Sequence, residues 1–259
     1  MMHSPLFVGS ATNHPAMPTF KAPDELIATV PTDRMLERRR LLDGLNPTAT
    51  AVHDQRATND WQDLHGRAFD LTSGSEGREP FELHREPQAV RDRYGMHPLG
   101  QNLLLARRLV ESGVGFVTVN GWTGPSPYGM GWCLPCLDEG VSALITDLRD
   151  RGMLENTMVV VTGEFGRTPN INQNGGATPG RQHWPSCFSS FVAGGGIRGG
   201  RVYGESDKHG AYVKDKPVRP QDLGATIFHS LGVPLDLRLA KDGFTRPLST
   251  GEPLLDLFV

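Results

Sequence analysis

Apolar positions recur at helical spacing in six stretches of the chain and as short strand-like runs in three others. Thr32 or Asp33 caps a predicted helix in which Met35, Leu36, Leu41 and Leu42 fall near a 3.6-residue period. Further helices are predicted around residues 61–71, 87–94 (stopped by Gly95), 99–112 (stopped by Gly113), 137–151 (closed by Gly152) and 222–231, with Gly232 just past the last. The runs VGFVTVN (114–120), TMVVVT (157–162) and CFSSFVA (187–193) read as strands. Residues 1–31 carry Pro5, Pro15, Pro18 and Pro23 without a helical period and read as an irregular extended segment, ahead of one α/β domain over 32–259. Residues 46–60 are polar and turn-rich.

The order strand 114–120, helix 137–151, strand 157–162, with apolar runs that do not alternate, predicts a parallel pair buried on both faces. The expected fold is therefore α/β, a largely parallel sheet flanked by helices, with function at the C-terminal ends of the strands. Those ends are the loops after Asn120 and after Thr162, both rich in Gly, Pro and polar groups.

Composition narrows the classes of function. The 259 residues carry 26 Lys plus Arg against 29 Asp plus Glu, and a net charge of −3 gives no electrostatic reason to expect nucleic acid. Arg38, Arg39 and Arg40 are too short a run to change that and read as a solvated helix face. Gly (31) and Pro (20) make about a fifth of the chain, which favours loops over a helix bundle. No apolar stretch approaches the ~20 residues of a membrane span. Residues 1–20 lack a basic region followed by an apolar run, so no secretory signal is read there, and the segment looks like the interior of a longer chain, with Met1 not the ancestral start. Three cysteines are too few and odd in number for a disulfide framework.

Three constellations carry candidate chemistry. In Gly163-Glu164-Phe165-Gly166-Arg167-Thr168-Pro169, Glu164 lies just past a strand, where a carboxylate can hold a cation. The glycines let backbone approach a ligand, and Arg167 offers a planar fork suited to phosphate or sulfate. The bland alternative is a turn closed by a Glu164–Arg167 ion pair. In Gly180-Arg181-Gln182-His183-Trp184-Pro185, His183 suits a metal ligand or proton carrier, although a loop histidine is more often neither. Both loops can reach one sheet edge, so an acid and an imidazole are expected to face one small space, lined by Trp122, Thr168, Gln182 and Trp184. The third, Trp132-Cys133-Leu134-Pro135-Cys136, has the Cys-x-Pro-Cys form of a dithiol redox site, but a long Gly/Pro loop separates Cys133 from the preceding strand. Cys187 has no partner for a zinc pair. His53, His65, His84 and His97 show no ligand spacing and read as solvated or packed side chains.

The ordered segments ArgAspArgTyrGly (91–95), LeuAlaArgArgLeuValGluSerGlyVal (105–114), ArgGlyMetLeuGluAsnThr (151–157), GlyGluPheGlyArgThrPro (163–169), GlyArgGlnHisTrpPro (180–185) and GlyGlyGlyIleArgGlyGly (194–200) together resemble the bacterial domain-of-unknown-function family 1501, abundant in planctomycetes. The resemblance runs from about Asp33 to the end. It implies an alkaline-phosphatase/sulfatase-like fold truncated at its N-terminus, with the nucleophile and first acidic ligand upstream of Met1. It implies hydrolysis of phosphate or sulfate esters of a small molecule or glycan with a divalent metal (zinc, calcium or magnesium). Glu164 and His183 match ligand positions, and Arg167 and Arg181 match arginines that hold an anion. Asp222-Leu223-Gly224-Ala225-Thr226 resembles an Asp-x-x-x-Thr helix near the end of sulfatases. Members of the family are commonly exported by a twin-arginine signal.

Two departures from the family pattern impair the implied site. Gly121-Trp122-Thr123-Gly124-Pro125 stands where the pattern is Gly-Trp-Asp-Thr-His, and Gln182 stands where the second motif has an acid. The alternative function is a catalytically inactive anion- or glycan-binding module, with a dithiol redox protein as the minor third.

Overall fold

The structure is a computed structural model that describes residues 6–10, 12–26, 30–45, 77–121, 130–171, 179–240 and 245–259. The expected helix at 61–71, His53, His65, the 46–60 segment and Trp122 lie outside the described residues. Among the described residues the chain divides into two compact units, one ending at Gly121 and the other running from Met130 to Val259.

In the first unit, helix α1 (Thr32–Leu45) forms where the period predicts it, and Arg38, Arg39 and Arg40 are exposed on it. Helices α2 (Gln88–Arg93) and α3 (Pro98–Glu111) also form as read. Gly95 and Gly113, with φ of 84° and 94°, take the left-handed conformation that closes each turn. His97 is structural: it caps α3, its Nδ1 accepting from Gly100 N at 3.1 Å. Between α1 and α2 the chain makes two 3₁₀ turns, Glu79–Phe81 and Leu83–Arg85. The apolar face of α3, with Leu103, Leu104, Leu105 and Ala106, packs with Phe81, Leu83 and Tyr94 into the core of this unit.

That core also buries charge. Arg107 is 1% exposed and reaches Glu86 Oε1 with Nη2 at 2.8 Å, while Arg108 Nη1 donates to the same oxygen. Arg108 further donates to the carbonyls of Pro80 (2.7 Å) and Glu79 (2.6 Å), so a guanidinium ties α3 to the first 3₁₀ turn. Burial pushes the Glu86 carboxyl up, but the hydrogen bonds and charges of Arg108 and Arg107 outweigh it and leave a net lowering.

The second unit opens on helix α4 (Met130–Asp150), which starts seven residues ahead of the predicted 137 and takes in Pro135. Its inner face contributes Ala143, Leu144 and Leu148. Strands follow in short pairs: β1 (Val159–Val161), β2 (Gly166–Arg167), β3 (His183–Trp184), β4 (Phe191–Ala193), β5 (Glu205–Ser206), β6 (Val213–Asp215), then helix α5 (Pro220–Ser230), β7 (Arg238–Ala240) and β8 (Thr245–Pro247).

The architecture is mixed α/β, and the expected parallel sheet is corrected. Among the described residues every sheet has two strands, and all pairs are antiparallel: β1 with β4, β2 with β3, β5 with β6, β7 with β8. The 114–120 run is extended chain without a ladder partner among the described residues, and its Phe116 is 65% exposed. A β-branched run sets extended backbone but not the neighbour that pairs with it. The valines of β1 are half-buried rather than sealed on both faces, as a parallel pair would require. The glycines after β4 explain how it is held. Gly194, Gly195 and Gly196 all have positive φ (70°, 57° and 82°), and a side chain at Gly194 would run into the carbonyls of Thr157 and Leu154.

Helix α5 anchors the last segment of the chain. Gly232 and Val233 close it, donating to His229 O (3.0 Å) and Phe228 O (2.9 Å) in a Schellman pattern. Its Asp-x-x-x-Thr residues fasten the segment beyond β8. Asp222 takes both Arg219 side-chain donors, Nε at 3.0 Å and Nη2 at 2.8 Å, and the N–H of Glu252 at 3.0 Å. Thr226 Oγ1 donates to Asp222 O at 2.7 Å and accepts from Leu254 N at 3.0 Å. The Arg219 hydrogen bonds, helped by the backbone donors, hold the Asp222 carboxyl well below the ordinary carboxylate range despite its burial. A depressed folded value means that this stabilisation is present above the unfolded pKa, about 3.9, and is lost as pH falls toward the folded one. Asp222→Asn is therefore expected to cost about 2 kcal/mol at neutral pH. The gap from wild type should narrow in thermal melts taken below about pH 3.

Among the described residues, no helix is long and apolar enough to cross a membrane.

Candidate functional site

The two motif loops meet. Strands β2 and β3 form a small antiparallel ladder in which Gly166 faces Trp184 and Arg167 faces His183. Thr168 extends it: its N–H donates to Gln182 O at 2.9 Å, and its Oγ1 accepts from Gln182 N at 3.1 Å and donates to Asn170 O at 3.0 Å. The Phe165 and His183 rings lie 5.3 Å apart, tilted by 31°.

Gly166 is what allows this approach. A side chain there would collide with the carbonyl of Cys187, and with Trp184 O at 3.0 Å. On the far side of the ladder, Trp184 Nε1 donates to Ala211 O at 2.5 Å and its ring meets Tyr212 edge-on at 5.7 Å. The hairpin is thus pinned to the β5–β6 region. Gly166→Val is expected to break the ladder and cost at least about 2 kcal/mol. Loss of the Trp184 near-ultraviolet circular dichroism, along with a lower melting temperature, checks this.

Across from His183, Arg167 is half-buried, and its Nη1 is fully buried with no hydrogen-bond partner among the described residues. Leaving such a donor without an acceptor costs about 1–3 kcal/mol. No Glu164–Arg167 ion pair closes the loop: neither residue has an ion pair among the described residues. Glu164, Arg181, Gln182 and His183 are exposed, and Arg181 adjoins the ladder through Gln182. The ladder thus assembles Arg167, Thr168, Gln182, His183 and Trp184, with Glu164 two residues before Gly166 on the same loop. The Phe165–His183 contact and the role of Ala211 are not marked by any sequence motif.

The fit of a divalent metal follows from the donor set. Glu164 and His183 are two candidate donors, whereas a catalytic ion takes about three from the protein. Among the described residues, no group of three or more His, Cys, Asp or Glu is placed to hold an ion. Among the described residues, Glu164 and His183 do not by themselves make a complete metal site.

The cysteine motif lies on helix α4, with Cys133 and Cys136 as free thiols in its first and second turns. Burial pushes the Cys133 thiol up, and its neighbour Cys136 adds to the effect, opposite to the lowering that activates a dithiol.

No curated protein and no solved structure matches the chain. A family model does match, over residues 2–258, reaching ahead of Asp33, where the resemblance is read to begin; the chain belongs to the family described as Protein of unknown function (DUF1501).

Proposed function

We propose that this is a sulfatase/phosphatase-like protein that binds the phosphate or sulfate group of a small-molecule or glycan ester on the β2–β3 hairpin. One observation carries this reading: the buried, unpartnered Nη1 of Arg167. A guanidinium fork is matched by two oxygens of a tetrahedral oxyanion, and the anion supplies the acceptor that the described residues do not. Arg181, on the adjoining strand entry, adds a second positive charge within one residue of Gln182. Thr168 has its hydroxyl committed to Gln182 and Asn170, so it shapes the hairpin rather than contacting the ligand. The alkaline-phosphatase/sulfatase ancestry implied by the motifs is consistent with an anion-facing loop of this kind.

Turnover is the second reading, motivated by Glu164 and His183 on the same two loops. A divalent zinc, calcium or magnesium ion would supply Lewis acidity there. The two-donor set favours binding without hydrolysis. The test is calorimetric titration with 4-nitrophenyl sulfate and 4-nitrophenyl phosphate, followed by release of 4-nitrophenol with each metal added. Saturable binding without release is the expected result. No binding of either ester would end the proposal, and metal-dependent release would replace it with the hydrolase reading.

A further inference from the structure

We infer that the second unit carries a separate pocket for an organic dianion, a phosphate monoester attached to an apolar or aromatic body. The pocket has a volume of about 390 Å³, within the usual range for small-molecule sites. Arg198, Arg201 and Lys216 line it, against one carboxylate, Asp256. Among the described residues none of the three cations forms an ion pair, so their charge is available to a ligand. Tyr203 and Phe258 add aromatic surface to the same walls. A net excess of two positive charges beside aromatic walls matches a doubly charged head on an apolar body.

The walls are built rather than incidental. Ile197 bridges Phe258, Arg198 N donates to Leu257 O at 2.7 Å, and Val259 N donates to Gly196 O at 3.0 Å, so the loop after β4 is stitched to the 255–259 segment. Lys216 is the single described non-glycine residue with positive φ, at 45°. A lysine in that conformation is strained and persists where its surroundings fix it. Here a side chain at Gly204 would press on Lys216 O at 2.9 Å, and the Lys216 ammonium lies 5.1 Å from the Tyr203 ring centroid. A strained cation held at a pocket wall is the kind of feature that ligand binding retains.

The pocket shares no lining residue with the β2–β3 ladder, so the two are tested separately. Phenyl phosphate, inorganic phosphate and phenol are titrated into the full chain and into Arg201→Ala, Lys216→Gly and Arg167→Ala. Lys216→Gly relieves the positive φ, so it should fold at least as stably as wild type. The pocket predicts that phenyl phosphate binds more tightly than inorganic phosphate by about tenfold, and that phenol alone does not bind detectably. Arg201→Ala and Lys216→Gly should each weaken phenyl phosphate about tenfold, with a site persisting in Arg167→Ala. Unchanged affinity in both pocket variants would overturn the inference, as would affinity for anionic phosphatidylglycerol vesicles without affinity for phenyl phosphate. If Arg167→Ala alone abolishes binding, the pocket falls and the hairpin stands.

Discussion

Arg167→Ala is expected to weaken binding of a sulfate or phosphate ester on the β2–β3 hairpin by about 100-fold, the loss of a charge-assisted fork worth roughly 3 kcal/mol. The same substitution should leave the folded state no less stable, because the buried Nη1 has no partner to lose among the described residues. Removing an orphaned donor relieves a desolvation cost, and the β2–β3 ladder is made by backbone groups that alanine retains. Arg167→Lys keeps the charge but not the planar fork, so it should recover only part of the affinity. Calorimetric titration paired with thermal melts separates the two effects. A residue kept for structure would show the opposite pattern, with lost stability and little change in binding.

The largest expected effect on stability lies in the first unit. Glu86→Ala should cost about 3–5 kcal/mol, because it leaves Arg107 and Arg108 sharing a buried site without their common carboxylate. Arg107 retains Glu111 at 2.5 Å and Arg108 retains the Pro80 and Glu79 carbonyls, which sets the lower end of that range. Glu86→Gln keeps the shape and one acceptor and should cost less. The lowered Glu86 carboxyl gives a pH dependence of the same sign as Asp222. Its contribution is present above the ordinary carboxylate range, about 4.3, and is lost as pH falls through the folded value. Denaturant unfolding of wild type and Glu86→Ala at neutral pH measures the difference.

Helices were legible in the sequence because their signals are local. The stop glycines at 95, 113, 152 and 232 all take positive φ, and the helices they close end within a residue or two of the predicted positions. The start of α4 was missed because Pro135 reads as a breaker, yet it sits in the second turn of the observed helix. Strand partners were not legible. VGFVTVN and TMVVVT are both rich in β-branched residues, but pairing is set by which backbone edge meets which, and that is a tertiary property. The β5–β6 and β7–β8 hairpins were missed for the complementary reason: their strands are two or three residues long and mostly exposed, with no apolar alternation to read.

The candidate site was partly legible. The two glycine-flanked motifs showed that an arginine and a histidine belong to loops of one region, and the ladder pairs those two residues directly. What the motifs did not show is the unpartnered Nη1, since hydrogen-bond satisfaction depends on atoms supplied by distant segments. The Arg198–Arg201–Lys216 pocket was invisible for the same reason, its cations lying on a loop and a strand end that only folding brings to the 255–259 segment.

The hairpin reading is tested most directly by following the side-chain resonances of Arg167 and His183 while 4-nitrophenyl sulfate is added. Assignment comes from the Arg167→Ala spectrum. The expected result is a saturable shift of the Arg167 guanidinium signals, with His183 moving in step and no comparable change in the variant. If the Arg167 signals stay fixed while the ester binds elsewhere, or if wild type and variant titrate alike, the anion does not sit on this hairpin.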